Sequence, residues 1–165
     1  MGGKIAQIFG ARWPPGLKGL VLVAPTPPTP MPVPKQQRDS FLDSYQSPAG
    51  VEIALSNLTA RPLSPELRKQ VTDDTLGGAL AAKRAWTEEG MTLDITDLVG
   101  NINVPTTVIV GDADRVENES ALRRELASRI KGVEFIVLLG VGHLSPLEAP
   151  GELATAITTA TSRMR

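Results

Sequence analysis

Two short segments of the sequence carry side chains able to move a proton. One is Gly111-Asp112-Ala113-Asp114-Arg115, the other Gly140-Val141-Gly142-His143-Leu144-Ser145-Pro146. A carboxylate that holds one imidazole nitrogen leaves the other nitrogen available as a general base. Asp114 and Asp112 compete for the carboxylate role, and Asp112 also reads as a turn residue hydrogen-bonding its own backbone. Ser145 lies close to His143 but lacks the strained strand-to-helix turn that presents a nucleophilic serine. Asp94 and Asp97 read as solvated or helix-capping.

The composition narrows the chemistry. With no cysteine, disulfides, thiolate zinc sites and cysteine nucleophiles are excluded within these residues, and a single histidine argues against a His-rich metal site; no metal is expected, and the chemistry of these loops calls for no cofactor. Seventeen basic and eighteen acidic residues give a formal charge of −1 with no block of one sign, which argues against nucleic acid and anionic membrane as partners. The longest apolar stretch, around residues 20–24, is far below the ~20 residues of a membrane helix, and no signal peptide is visible. These features predict a soluble, cytoplasmic protein of 165 residues built as one domain.

The two loops need elements to position them. Residues 20–24 and 106–110 are apolar with β-branched members, as strands buried on both faces of a parallel sheet are, and residues 133–139 read as a further buried strand. Between the last two strands Asn118 can cap a helix whose Leu122, Leu126 and Ile130 recur every four residues, with Gly132 past its end. Residues 150–161 form a closing helix. Near the start, residues 2–10 read as a helix with Ile5, Ile8 and Phe9 at helical spacing, stopped by Trp13-Pro14-Pro15-Gly16. Six of the fourteen prolines fall in residues 25–34, an extended connector. Residues 35–98 are polar and helix-prone, with breaks at Ser47-Pro48, Arg61-Pro62 and Gly77-Gly78, and predict three or four short helices. Ser64-Pro65-Glu66 is a helix start. Strands alternating with helices predict an α/β fold with right-handed crossovers, its chemistry at the carboxyl ends of the strands.

On these segments the sequence resembles the α/β-hydrolase family. Met1-Gly2-Gly3 resembles the tail of the nucleophile elbow Gly-x-Ser-Met-Gly-Gly, Gly111-x-x-Asp114 the acid loop, and Gly142-His143, followed by Pro146 and Pro150, the base loop. The resemblance implies a parallel sheet with flanking helices and an inserted helical cap: core at 1–34, cap at 35–98, and core with the acid and base loops at 99–165. It implies His143 as base and Asp114 as orienting acid, because the family's acid lies three residues after the glycine. It implies the Met1 backbone amide as an oxyanion donor and a small-molecule acyl substrate. Phe41, Tyr45 and Trp86 are candidates for lining a substrate pocket beneath the cap, or for ordinary packing between its helices.

In the family the nucleophilic serine directly precedes the position of Met1. The resemblance therefore implies that the serine, a second oxyanion amide and about five strands lie upstream, and that residues 20–24 have an unpaired apolar edge prone to self-association, with a homo-oligomer left open. The expected function is a serine hydrolase acting on an ester or related acyl substrate, with perhydrolase or cofactor-free haloperoxidase chemistry open within the family. The alternative is an inactive fragment or a domain completed by a partner. Residues 1–165 alone are expected to show no triad-dependent esterase activity.

Overall fold

Three apolar runs become the strands of one parallel sheet in the computed structural model, which describes residues 1–164. β1 (Leu20–Val23), β2 (Thr106–Gly111) and β3 (Glu134–Leu138) lie in the order β1-β2-β3. Leu20 pairs with Thr106 and Val23 with Ile109, while Thr107 pairs with Glu134 and Gly111 with Leu138. β2 has a neighbour on each side, and all six of its residues are buried. Its side chains alternate between faces. Val108 and Val110 join Leu20, Leu22, Leu122, Leu126 and Ile130 on one face, and Ile109 joins Leu138, Val141, Leu153 and Ala156 on the other. The fold class is the expected α/β.

The outer strands are less covered than expected. Val21 and Val23 of β1 are half-buried, and β3 runs from an exposed Glu134 through three half-buried residues to a buried Leu138. Each is an edge strand among the described residues, and the helices cover the sheet centre before its margins. β3 is also shorter than residues 133–139, and Leu139 is exposed.

The helix following Met1 is α1 (Gly2–Ala11), and its polarity is inverted. It buries Lys4, Gln7 and Gly10 against the sheet side. Met1, Ile5, Phe9 and Trp13, spaced by four, are each more than half exposed. Of the expected apolar set only Ile8 packs on the core. Gly3 is required where α1 crosses the exit of β1, since a Cβ there would lie 2.7 Å from the Pro25 Cα.

Between β1 and β2 the chain forms α2 (Lys35–Ser44), α3 (Pro48–Leu58), α4 (Pro65–Gly77), α5 (Leu80–Arg84) with a π-helical turn over Ala85–Gly90, and α6 (Thr96–Val99). That is more than the three or four expected helices, because α5 and α6 are single turns too short to leave a periodic pattern. The caps follow their chemistry: the Ser47 and Ser64 hydroxyls accept from the N–H groups of Gly50 and Leu67. The insert has its own small core of Val51, Leu55 and Leu63, against which Leu144 and Leu147 of the segment after β3 pack.

The proline-rich connector is pinned along its middle. The Met31 N–H donates to the Met91 carbonyl and the Ile95 N–H to the Pro28 carbonyl. The buried Lys4 ammonium donates to the carbonyls of Thr29 and Leu93, at 3.2 and 2.6 Å. After β2, α7 (Glu119–Ala127) is capped by the Asn118 side chain, which accepts from the N–H groups of Ser120 and Ala121. After β3 come a four-residue turn of helix, α8 (Ser145–Glu148), and α9 (Pro150–Ser162), which packs on all three strands.

Candidate active site

The segments after β2 and β3 meet at the carboxyl edge because their strands are neighbours. The Ala113 N–H donates to the Val141 carbonyl, drawing the two backbones together. Gly111 makes this approach possible, since a Cβ there would fall onto the Val141 carbonyl. This contact brings Asp114 and His143 side by side, with His143 Nδ1 2.8 Å from Asp114 Oδ2.

The Asp114 carboxylate is fully buried and fully engaged. Its Oδ1 accepts from the backbone N–H groups of Val116 and Glu117, at 2.8 and 2.9 Å, while Oδ2 faces the imidazole. An ionised carboxylate only accepts, so Nδ1 carries the proton and Nε2 is the accepting nitrogen. The His143 side chain remains 24% exposed while the acid behind it is sealed.

Asp112 takes a different part. Its Oδ1 accepts from the Gly140 N–H at 2.6 Å, so it ties the two loops together across strands instead of closing a turn on its own backbone. Ser145 is buried at the start of α8. Asp94 accepts from the Thr96 N–H and hydroxyl, which hold its carboxyl below the ordinary range. Asp97 lies in the first turn of α6.

The insert grips the histidine loop. The Leu58 carbonyl at the end of α3 accepts from the N–H groups of His143 and Leu144, at 2.9 and 3.3 Å. Glu148 Oε2 accepts from Ala60, Arg61 and Gly142 N–H at 2.7, 2.8 and 3.0 Å, joining the insert to the loop through one carboxylate. The Arg61 guanidinium donates to the carbonyls of Leu139 and Gly140 and forms a two-pronged pair with Glu152. That pair raises the guanidinium pKa and lowers the carboxyl of Glu152. From the acid loop, Arg115 donates to the Ser56 carbonyl.

The other candidates separate. Met1 precedes α1, its carbonyl accepting from the Lys4 N–H. Tyr45 lines a cavity of about 140 Å³ with Val51, Leu55, Leu58, Val71 and Leu144, next in sequence to His143, and burial raises its phenol. Phe41 and Trp86 are not brought to this cavity. Trp86 stacks over the Gly90 backbone within the π-helical turn, where a Cβ at Gly90 would meet its ring. The Phe41 carbonyl caps α2 by accepting from Ser44 and Tyr45. A wider depression of about 580 Å³ runs along β3 and α9 and shares no residue with the Asp114–His143 pair.

Three side chains at the site gave no signal in the sequence: Glu117, Glu148 and Arg61. Each is a charged residue in a loop or short helix, where charge usually means solvent. Among the described residues no group of three His, Asp or Glu is placed to hold a metal ion, and no helix is long and apolar enough to cross a membrane.

Comparison with known proteins agrees with this architecture. The structure superposes on an esterase from Exiguobacterium antarcticum with a TM-score of 0.84 at 16% identity, over 96% of this chain and 63% of that one. A thermophilic esterase from Thermogutta terrifontis gives 0.81 at 24%, over 99% and 62%. The enol-lactonase from Burkholderia xenovorans LB400 gives 0.81 at 20%, over 98% and 63%. At these identities the likeness is one of fold, and the chain spans less than two thirds of each. Among curated proteins none matches the sequence. The family model for serine aminopeptidase, S33, matches residues 1–149. The chain belongs to this S33 serine aminopeptidase-like family of α/β-hydrolases.

Proposed function

We propose that residues 1–165 carry the acid and the base of an esterase-type serine hydrolase, with Asp114 as acid and His143 as base. The observation that carries this reading is the 2.8 Å contact between His143 Nδ1 and a sealed, fully accepted Asp114 carboxylate at the carboxyl edge of the sheet. Such a carboxylate fixes the imidazole tautomer and stabilises the imidazolium that forms when Nε2 takes a proton. The nucleophile is then a serine directly before the Met1 position. Its Oγ attacks the acyl carbon as its proton passes to Nε2, and the same proton goes on to the leaving oxygen. The amide at the Met1 position stabilises the oxyanion. The substrate class is an ester or related acyl compound, in keeping with the esterases and the enol-lactonase of the same fold. The small cavity lined by Tyr45 and Leu144 supports a compact acyl group.

A second reading has one observation in its favour. The exposed row of Ile5, Phe9 and Trp13, beside the open edge of β1, suits a domain completed by further polypeptide. The coding sequence upstream of Met1 and ester turnover of its product separate the two. An in-frame Gly-x-Ser, with turnover lost in His143→Ala, is the expected result. Unrelated upstream sequence, or turnover untouched by His143→Ala, would overturn the hydrolase reading.

A further inference from the structure

We propose that Glu148 is a positioning residue for His143: its carboxylate fastens the insert to the loop that carries the base and so fixes the imidazole against Asp114. The inference deepens the site proposed above. It rests on that reading for its catalytic meaning, and on the contacts alone for the position of the ring.

Glu148 ends α8, five residues after His143, and is half-buried. Its N–H donates to the Leu144 carbonyl, so the turn of helix brings its side chain back over the loop it has just left. There Oε2 accepts from backbone N–H groups of two separate segments. Gly142, at 3.0 Å, belongs to the loop; Ala60 and Arg61, at 2.7 and 2.8 Å, belong to the insert just past α3. An ionised oxygen accepts more strongly than a neutral one, so three such bonds make a stiff tie. The seat for this carboxylate exists because residue 142 is glycine. A Cβ there would lie 2.8 Å from Glu148 Oε1, 2.7 Å from the Ala60 nitrogen and 3.0 Å from the Leu58 carbonyl oxygen.

The tie reaches the imidazole by two routes. Gly142, whose N–H it holds, directly precedes His143. Ala60 and Arg61 follow Leu58 closely, and the Leu58 carbonyl accepts from the N–H groups of His143 and Leu144. The His143 backbone is therefore held from both sides, and its side chain meets Asp114 Oδ2 at 2.8 Å from a fixed base. Without the carboxylate, three N–H groups lose their acceptor and the Leu58 carbonyl is free to leave the histidine. Leu58 and Leu144 also line the cavity of about 140 Å³, so the insert, its cavity and the base move as one body. Glu148 touches no reacting atom in this scheme; it acts through His143.

His143 is the sole histidine of the chain, so its ring nitrogens are assigned without ambiguity. Proton–nitrogen NMR at about pH 9, where an ordinary imidazole is neutral, reads which nitrogen holds the proton. The unaltered 165-residue chain should show the Nδ1–H tautomer. Glu148→Ala should shift the tautomer ratio toward Nε2–H by at least about tenfold, while Glu148→Gln, which keeps an accepting oxygen, should stay close to the unaltered chain. Leu67→Ala weakens the core of the insert away from the junction, and should lower stability without disturbing the ring. A tautomer unmoved by Glu148→Ala, a ring disturbed equally by Leu67→Ala, or mixed tautomers in the unaltered chain would each overturn the proposal. If Glu148→Ala does not fold, Gly142→Ala replaces it, since its Cβ pushes Leu58 and Ala60 off the loop. The same shift is then expected, and an unchanged ring overturns the proposal. In the product of the complete coding sequence, Glu148→Ala should lower kcat for an ester by about 10² with KM within about twofold. An unchanged kcat in an enzyme that His143→Ala silences would also overturn it. Turnover that survives His143→Ala overturns the hydrolase reading instead, and the ring measurement still decides this one.

Discussion

At the carboxyl edge of β2 and β3, Asp114 has a donor for each carboxylate oxygen, Asp112 bridges two loops, and Glu148 Oε2 collects three backbone N–H groups. Along α1 the pattern reverses. Lys4 and Gln7 are buried, and Met1, Ile5, Phe9 and Trp13 face outward beside an edge strand. In the first region carboxylates are met by backbone N–H groups and by the imidazole, which locks the loops together. The second has the marks of a surface that other polypeptide covers. The same short chain therefore holds a loop junction whose carboxylates are met by donors and a helix whose apolar side chains are not covered.

The largest effect expected on this comparison falls on the closed region. In the product of the complete coding sequence, His143→Ala should lower kcat for an ester by about 10⁶, and Asp114→Asn by about 10⁴, with little change in KM. Steady-state kinetics on a chromogenic ester checks both. A loss below tenfold for His143→Ala would break the assignment of the closed region as catalytic.

Next comes the carboxylate that locks it. Glu148→Ala leaves the Ala60, Arg61 and Gly142 N–H groups without their acceptor and should cost about 3 kcal/mol, read from urea unfolding. The same change should loosen the His143 loop, which hangs on the adjacent Leu58 carbonyl.

Glu117 gives an effect of similar size with the opposite sign. Its folded-state pKa lies above its unfolded one, so its contribution is fully present below pH 4.5 and is lost as pH rises through about 7. A rise from 4.5 to about 7 corresponds to at most about 3 kcal/mol. Glu117→Gln should therefore match the unaltered chain near pH 4 and exceed it near pH 8 in thermal unfolding. Equal curves at both pH values would contradict the buried, charge-sensitive carboxyl.

The smallest effect belongs to the open flank. Phe9→Glu should change the stability of the 165-residue chain by less than about 0.5 kcal/mol, because the side chain is half exposed. It should also reduce self-association measured by light scattering. In a longer product that covers α1, the same substitution should cost about 2 kcal/mol. That contrast sharpens the difference between the two regions, and its absence would erase it.

Much of this was legible in the sequence, for reasons that differ by residue. β2 announced itself because a strand buried on both faces needs an unbroken β-branched run, and Asn118 and Ser64 announced helix starts through their cap chemistry, whereas Ser47 was legible only as a break. The spacing Gly111-x-x-Asp114 and the pair Gly142-His143 marked the loops that the strand order brings together. What stayed hidden depends on contacts far apart in the chain. Glu148 and Arg61 act on backbone groups contributed by other elements, and nothing local distinguishes them from solvated charges. Ile5 and Phe9 have helical spacing, yet spacing names a face without naming what lies against it.

The most direct measurement is labelling of the native gene product with a fluorophosphonate, followed by mass-spectrometric location of the modified residue. The account predicts one labelled serine, immediately before the Met1 position, with labelling lost in His143→Ala. Label on Ser145 or another serine within residues 1–165, or labelling that persists without His143, would contradict it.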